Sequence, residues 1–353
     1  MPVLLSKSGL PRLALVLVLA CRTQSPEPRL RVPMVTDEAR AVLELLARLA
    51  EGQEPGEAAW QRLFESEGYR RLKQRELSLD RPFDDSAFRA FVRSNALLAR
   101  AGALRRTLMT WTQVDPGAAA LHAFAYLPPG AVIHANVYPV IKPRTNSFVF
   151  EPRSNPAIFL YLDPAVSPAK LDNTLTHELH HIGVGSVCPA EMPDSTLPPP
   201  VRTAHAWMGG FAEGRAMLAA AGDPAIHPHQ TSDSAERAIW DRDLAHVDRD
   251  LRRLEEFFLT LLDGRLSEDE QTREGMSFIA TEEVPQGPYY TVGWVMASTV
   301  ERRLGRKRLV ATLCDPVAFL SDYNAAARTR NRTRASRLPI WSDSLFNRLR
   351  ASR

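Results

Sequence analysis

Several features that would have narrowed this 353-residue chain quickly are scarce or missing. Three cysteines are too few for a scaffold built on disulfides. The net charge is only +3, and no basic cluster is interleaved with aromatic residues, so no nucleic-acid partner is expected. No internal repeat recurs. No apolar run is long enough for a mature membrane-spanning helix. What remains is the composition of an ordinary globular protein, 44% hydrophobic and 24% charged, long enough for one large or two modest domains with a sizeable core.

The amino terminus stands apart. Lys7 and Arg12 precede the short apolar run Leu13–Ala20, which ends at Cys21. This is the layout of a secretory signal, and Val18-Leu19-Ala20-Cys21 resembles a bacterial lipobox, in which the cysteine is lipidated. The expectation is a signal peptide over 1–20, lipidation at Cys21 and a tether over 21–35. The protein would then be lipid-anchored at the bacterial cell envelope, facing an extracytoplasmic space. It would be plainly secreted if Cys21 carries no lipid. In that oxidising setting Cys188 and Cys314 can pair; two free buried thiols fit the spacing equally well.

The most informative stretch is His177-Glu178-Leu179-His180-His181, an H-E-x-x-H pattern. On a helix, residues four apart lie one turn above each other on one face. His177 and His181 can therefore turn a ring nitrogen toward one metal ion, with Glu178 beside them as general base. The surrounding sequence predicts that helix from about 168 to 182. Ser167-Pro168 gives a start, Leu171, Leu175, Leu179 and Ile182 an apolar stripe, and Gly183 with Gly185 a stop.

A catalytic zinc usually takes three protein ligands. A Gly three and a His six residues after His181 would mark the metzincin pattern, but Val184 and Val187 stand there. The alternative is a Glu from a second helix, expected over 201–221. Gly209, Gly210 and Gly214 surround Glu213, as if the backbone had to come close to another element, the metal-bearing helix or substrate. Glu213 is the choice for third ligand. His205, about two turns earlier, competes as a ligand, a partner to one, or a packed core residue. His180 is read either as a packed residue or as one facing ligands or substrate. His134 is read as a strand residue.

HELHH followed by a Gly-flanked Glu resembles the gluzincins. More narrowly, the chain is similar to a bacterial family of uncharacterised zinc-dependent peptidases. The likeness includes Trp60–Phe64, Glu67-Gly68-Tyr69, Tyr290–Trp294, Tyr323-Asn324 and Leu338-Pro339-Ile340. It would cover most of the mature chain. The resemblance implies one zinc ion on His177, His181 and Glu213 with Glu178 as base, and supplies no substrate.

Periodicity divides the rest. Residues 36–113 read as a helical subdomain, with helices around 42–49, 58–79 and 88–98. Residues 114–230 hold strands near 132–141, 147–150 and 157–162, and then the metal-binding core. Residues 231–353 are helical again, with one long charged helix over 232–263, another from Gly287-Pro288 to about Leu304, and a third starting at Asp315-Pro316. The fold class is α+β, mainly helical, with a zincin-like core and a small sheet packed on the metal-bearing helix.

The leading function is hydrolysis of a peptide or protein substrate, with Tyr290, then Tyr289, as hydrogen-bond donor to the developing oxyanion. Alternatives are a non-peptide amide or ester hydrolase of the cell envelope and a non-catalytic binding lipoprotein. Glu178 argues against the last, since a structural zinc needs no base.

Overall fold

The computed structural model describes residues 29–188, 196–281 and 284–351. The signal peptide and Cys21 lie outside them. In chain order the elements are β1 (Leu30–Arg31), α1 (Asp37–Ala50), α2 (Glu57–Glu65), α3 (Glu67–Leu77), α4 (Asp85–Val92), α5 (Asn95–Trp111) and α6 (Pro116–Phe124). Next come β2 (Ile133–His134), β3 (Asn136–Val140), β4 (Phe148–Phe150), β5 (Ala157–Tyr161) and α7 (Pro168–Val187). After these follow α8 (Pro199–Met208), α9 (Ala212–Ala221), α10 (Ser234–Leu244), α11 (Val247–Leu262) and α12 (Glu268–Ser277). The last four are α13 (Pro288–Leu304), α14 (Arg306–Ala311), α15 (Pro316–Asn331) and α16 (Asp343–Ala351). The protein is mainly helical α+β.

Local chemistry starts many of these helices. Ser66, Asp84, Ser94, Asp115, Ser167, Asp233 and Asp315 each accept a backbone N–H of the first turn, and Ser267 with Glu270 forms a capping box. Proline stands in the first turn of α6, α7, α8, α13 and α15, where its missing N–H costs nothing.

The three-stranded sheet has the order β3-β5-β4, with β3 parallel and β4 antiparallel to β5. All of central strand β5 is buried, which is why Ala157–Tyr161 reads as continuous apolar sequence rather than alternation. One sheet face shares a core with α7: Ile158 and Leu160 lie in the same cluster as Leu171, Leu175, Leu179 and Ile182, together with α1, α5 and α6. A second core gathers α8, α9, α11, α13, α15 and α16. The seam between the two cores runs along α7 and α9.

Several expectations are corrected. Residues 29–35, assigned to the tether, are part of the fold. Here β1 pairs in parallel with β2, and the Val35 amide donates to the Val137 carbonyl (2.8 Å). The expected strand over 132–141 is broken into β2 and β3. The stop at Gly183 fails. A Cβ there would lie 2.2 Å from Leu127 Cδ1, so Gly183 serves close packing and α7 continues to Val187. The helix over 232–263 is two helices, because the His246 amide donates to the Asp243 carbonyl in a tightened turn. Cys188 and Cys314 form a disulfide across 126 residues, tying the end of α7 to the segment before α15.

Candidate metal centre

Helix α7 presents two faces with different tasks. Its leucine stripe is buried in the first core. The opposite face carries His177 and His181 toward α9. Glu213 stands in the first turn of α9 and completes a triangle. Nε2 of His177 and Nε2 of His181 are 3.1 Å apart, and Oε2 of Glu213 lies 3.1 Å from the first and 3.2 Å from the second. Each edge is shorter than twice a zinc–ligand bond of about 2.0–2.2 Å, so one ion can touch all three atoms. Two imidazoles and one carboxylate are a donor set suited to zinc. Among the described residues, these three form the group able to share a metal ion. Electrostatics agree with strong mutual attraction: burial opposes charge on His181, yet Glu213 outweighs it and raises the imidazole to about 9. Burial likewise opposes charge on Glu213, and the two histidines hold its carboxyl well below the usual range.

The glycines around Glu213 have a different partner from the one expected. A Cβ on Gly214 would lie 2.1 Å from Trp294 N and 2.2 Å from Gly293 C. The backbones of α9 and α13 therefore touch, and this crossing sets Glu213 beside α7. A Cβ on Gly210 would meet the Tyr289 ring at 2.7 Å. The continuous helix expected over 201–221 is α8 and α9 joined by a 3-10 turn at Gly209–Phe211. Three residues at 3.0 rather than 3.6 per turn rotate the following face by roughly 60°, so His205 and Glu213 do not share one. His205 is buried in α8, outside the ligand group.

Glu178 lines the same cavity as His177, and its charge acts on both His181 and Tyr290. The Tyr290 ring lies parallel to that of His177 with centroids 6.1 Å apart. Burial, then the charge and hydrogen bonding of Glu213, raise its hydroxyl well above the ordinary phenol range, so it stays a protonated donor. Tyr289 points into the second core. Its ring packs on Phe211, and its buried hydroxyl has no partner among the described residues. His180 is buried beside the ligand triangle but outside the ligand group, its ring 6.3 Å from that of His181. Burial holds it neutral, and it is hydrogen-bonded to the backbone of Tyr126. His134 ends β2. The outer nitrogen of His177, Nδ1, is buried without a hydrogen-bond partner, unlike most metal-ligating histidines.

A cavity of about 530 Å³ opens beside the triangle. It is lined by Lys170, Asn173 and Thr174 from α7 and by Glu236, Ile239, Trp240 and Asp243 from α10. His229 lines it too, with Nε2 2.7 Å from Gln286 Oε1 and Nδ1 3.0 Å from Ser232 Oγ. Sequence reasoning missed these residues. The signal was present as spacing: positions 170, 173/174 and 177, and 236, 239/240 and 243, each trace one helical stripe.

Residues 118–332 match a family model described as "Putative zinc dependent peptidase (DUF5700)". The chain belongs to this family. The matched region is more than half of the chain and contains α7, α9, α10 and α13. No curated protein and no solved structure matches the chain.

Proposed function

We propose that this member of DUF5700 is a zinc-dependent metallopeptidase of the gluzincin type. The observation that carries the reading is the convergence of His177, His181 and Glu213 on one point, beside a cavity that also holds Glu178. His177, His181 and Glu213 would hold the ion. When bound, zinc supplies a Lewis acid that polarises the scissile carbonyl and lowers the pKa of water to about 7. Glu178 takes the proton of the attacking water and delivers it to the leaving amine. Tyr290, protonated and beside His177, donates to the oxygen on which charge develops. The cavity walls orient the chain and limit the access of bulk water.

The test is Glu178→Gln, compared with wild type for zinc content and for hydrolysis of a mixed peptide library. The variant should hold zinc as wild type does and lose turnover. Full activity in Glu178→Gln would reject the mechanism.

For location, the Cys21 pattern supports lipid anchorage on the outer side of a membrane. The Cys188–Cys314 disulfide supports it too, since such bonds persist in oxidising compartments. Among the described residues, no helix is long and apolar enough to cross a membrane. A Cys21→Ala variant should move to the soluble fraction; continued membrane association would remove the proposal.

A further inference from the structure

We propose that Lys170 binds a carboxylate of the substrate, about three residues along the chain from the metal centre, and takes it in exchange for Glu236. This inference rests on the peptidase reading and names a substrate class for it. Lys170, Asn173, Thr174 and His177 share one face of α7, and all line the cavity. Seven residues at 1.5 Å each set Lys170 roughly 10 Å from His177 along the helix. An extended peptide covers that distance in about three residues.

The charges around the cavity single out this position. Glu178, Glu236 and Asp243 line it, and among the described residues Lys170 is the lysine or arginine that does so. His229 adds no positive charge at neutral pH, because burial lowers its pKa. Among the charged side chains lining the cavity, Lys170 is thus the one that can attract a carboxylate, once its pairing with Glu236 is exchanged. Helix dipoles act in the same sense. Lys170 lies in the first turn of α7, where its amide donates to Ser167 Oγ, and Glu236 in the first turn of α10. Two positive helix ends therefore meet at this end of the cavity.

Glu236 now occupies the position that the substrate carboxylate would take, ion-paired with Lys170. The side chains are 26% and 40% exposed, and ion pairs so open to water are weak and readily exchanged. The pair also joins α7 to α10, so the exchange removes a link between two helices that line the cavity. Two sources offer the same chemistry: the free carboxy terminus of a peptide, and an Asp or Glu side chain.

The experiment measures binding and turnover separately. Dansyl-labelled hexapeptide pools, whose label has no carboxylate, are prepared ending in a carboxylate or a carboxamide, each with or without Asp and Glu. Their affinities are read by anisotropy on zinc-loaded Glu178→Gln protein, with Lys170 intact or changed to Met or Arg. The carboxylate pools should bind at least about ten-fold more tightly than pools lacking any carboxylate. Lys170→Met should remove most of that preference, leaving only what the metal contributes, Lys170→Arg should keep most of it, and Glu236→Gln should enlarge it. The pool that carries the preference identifies the source. Equal affinity for all pools, or an equal loss on all of them in Lys170→Met, would overturn the proposal. Carboxylate-selective binding with no hydrolysis of any pool by wild type would instead count against the peptidase reading and leave this binding site standing.

Discussion

The crossing of α9 and α13 makes Gly214 the most sensitive position outside the ligands. In Gly214→Ala the new methyl would sit 2.1 Å from Trp294 N, 2.2 Å from Gly293 C and 2.5 Å from Gly293 Cα. These are backbone atoms, so no side-chain rotation relieves the overlap. Reaching an ordinary contact of about 3.4 Å requires the two backbones to part by at least about 1.3 Å, in an interior packed as densely as a crystal. Overpacking of this kind costs about 1–3 kcal/mol, or roughly 1–4 °C in Tm for a chain of this size. The neighbouring Glu213 would be carried with α9. Metal bonds tolerate only about 0.2 Å, so zinc affinity should fall by about 10- to 100-fold, as when a group that orients a ligand is lost. The assay is thermal unfolding with and without zinc, paired with competition for zinc against a chromogenic chelator. Gly209→Ala is the control: a Cβ there meets nothing within 4 Å, so Tm and affinity should hold or rise. Wild-type Tm and zinc affinity in Gly214→Ala would refute the claim that this crossing positions Glu213.

Tyr290→Phe should keep zinc and lose about 100- to 1000-fold in kcat, whereas Tyr289→Phe should leave kcat unchanged and stability no lower, since its hydroxyl is buried and unpaired; steady-state kinetics of the two variants separates the roles. Reduction, or Cys188→Ser, should cost about 2–4 kcal/mol of stability, seen as a drop in Tm with dithiothreitol that the serine variant no longer shows. Burial raises the Glu38 carboxyl to about 8, while the Ile141 amide bonded to Oε2 acts the other way. Its folded pKa lies above the unfolded one, so its contribution is intact below about pH 4.3 and is lost as pH rises through about 8. Glu38→Gln should therefore raise Tm over wild type more at pH 8.5 than at pH 4.5, by up to about 5 kcal/mol of stability, and a pH-independent difference would reject the burial argument.

What could be read from the sequence follows the range of the interactions involved. His177 and His181 were legible because a spacing of four on a helix is a local fact. The caps at Ser167 and Asp315 were legible for the same reason. Gly183 looked like a helix stop because its real reason, contact with Leu127 and Ile133, comes from distant segments. The glycines at 210 and 214 correctly signalled a close approach, but the partner, Tyr289 and Gly293 of α13, is about eighty residues away in sequence. The 3-10 turn at Gly209–Phe211 and the tightened turn at His246 leave the apolar pattern nearly intact, so a single long helix was read in each place. Lys170 and Glu236 show the same limit. Each lies on a recognisable stripe, yet only the fold brings the two stripes into the lining of one cavity.

The central claim is that His177, His181 and Glu213 together hold one zinc ion. It is tested most directly by zinc titration of metal-free wild type and of Glu213→Ala, with His205→Ala alongside. Wild type and His205→Ala should each bind one zinc per chain with similar affinity, and Glu213→Ala should bind far more weakly. Undiminished zinc affinity in Glu213→Ala, or its loss in His205→Ala with the fold intact, would contradict the account.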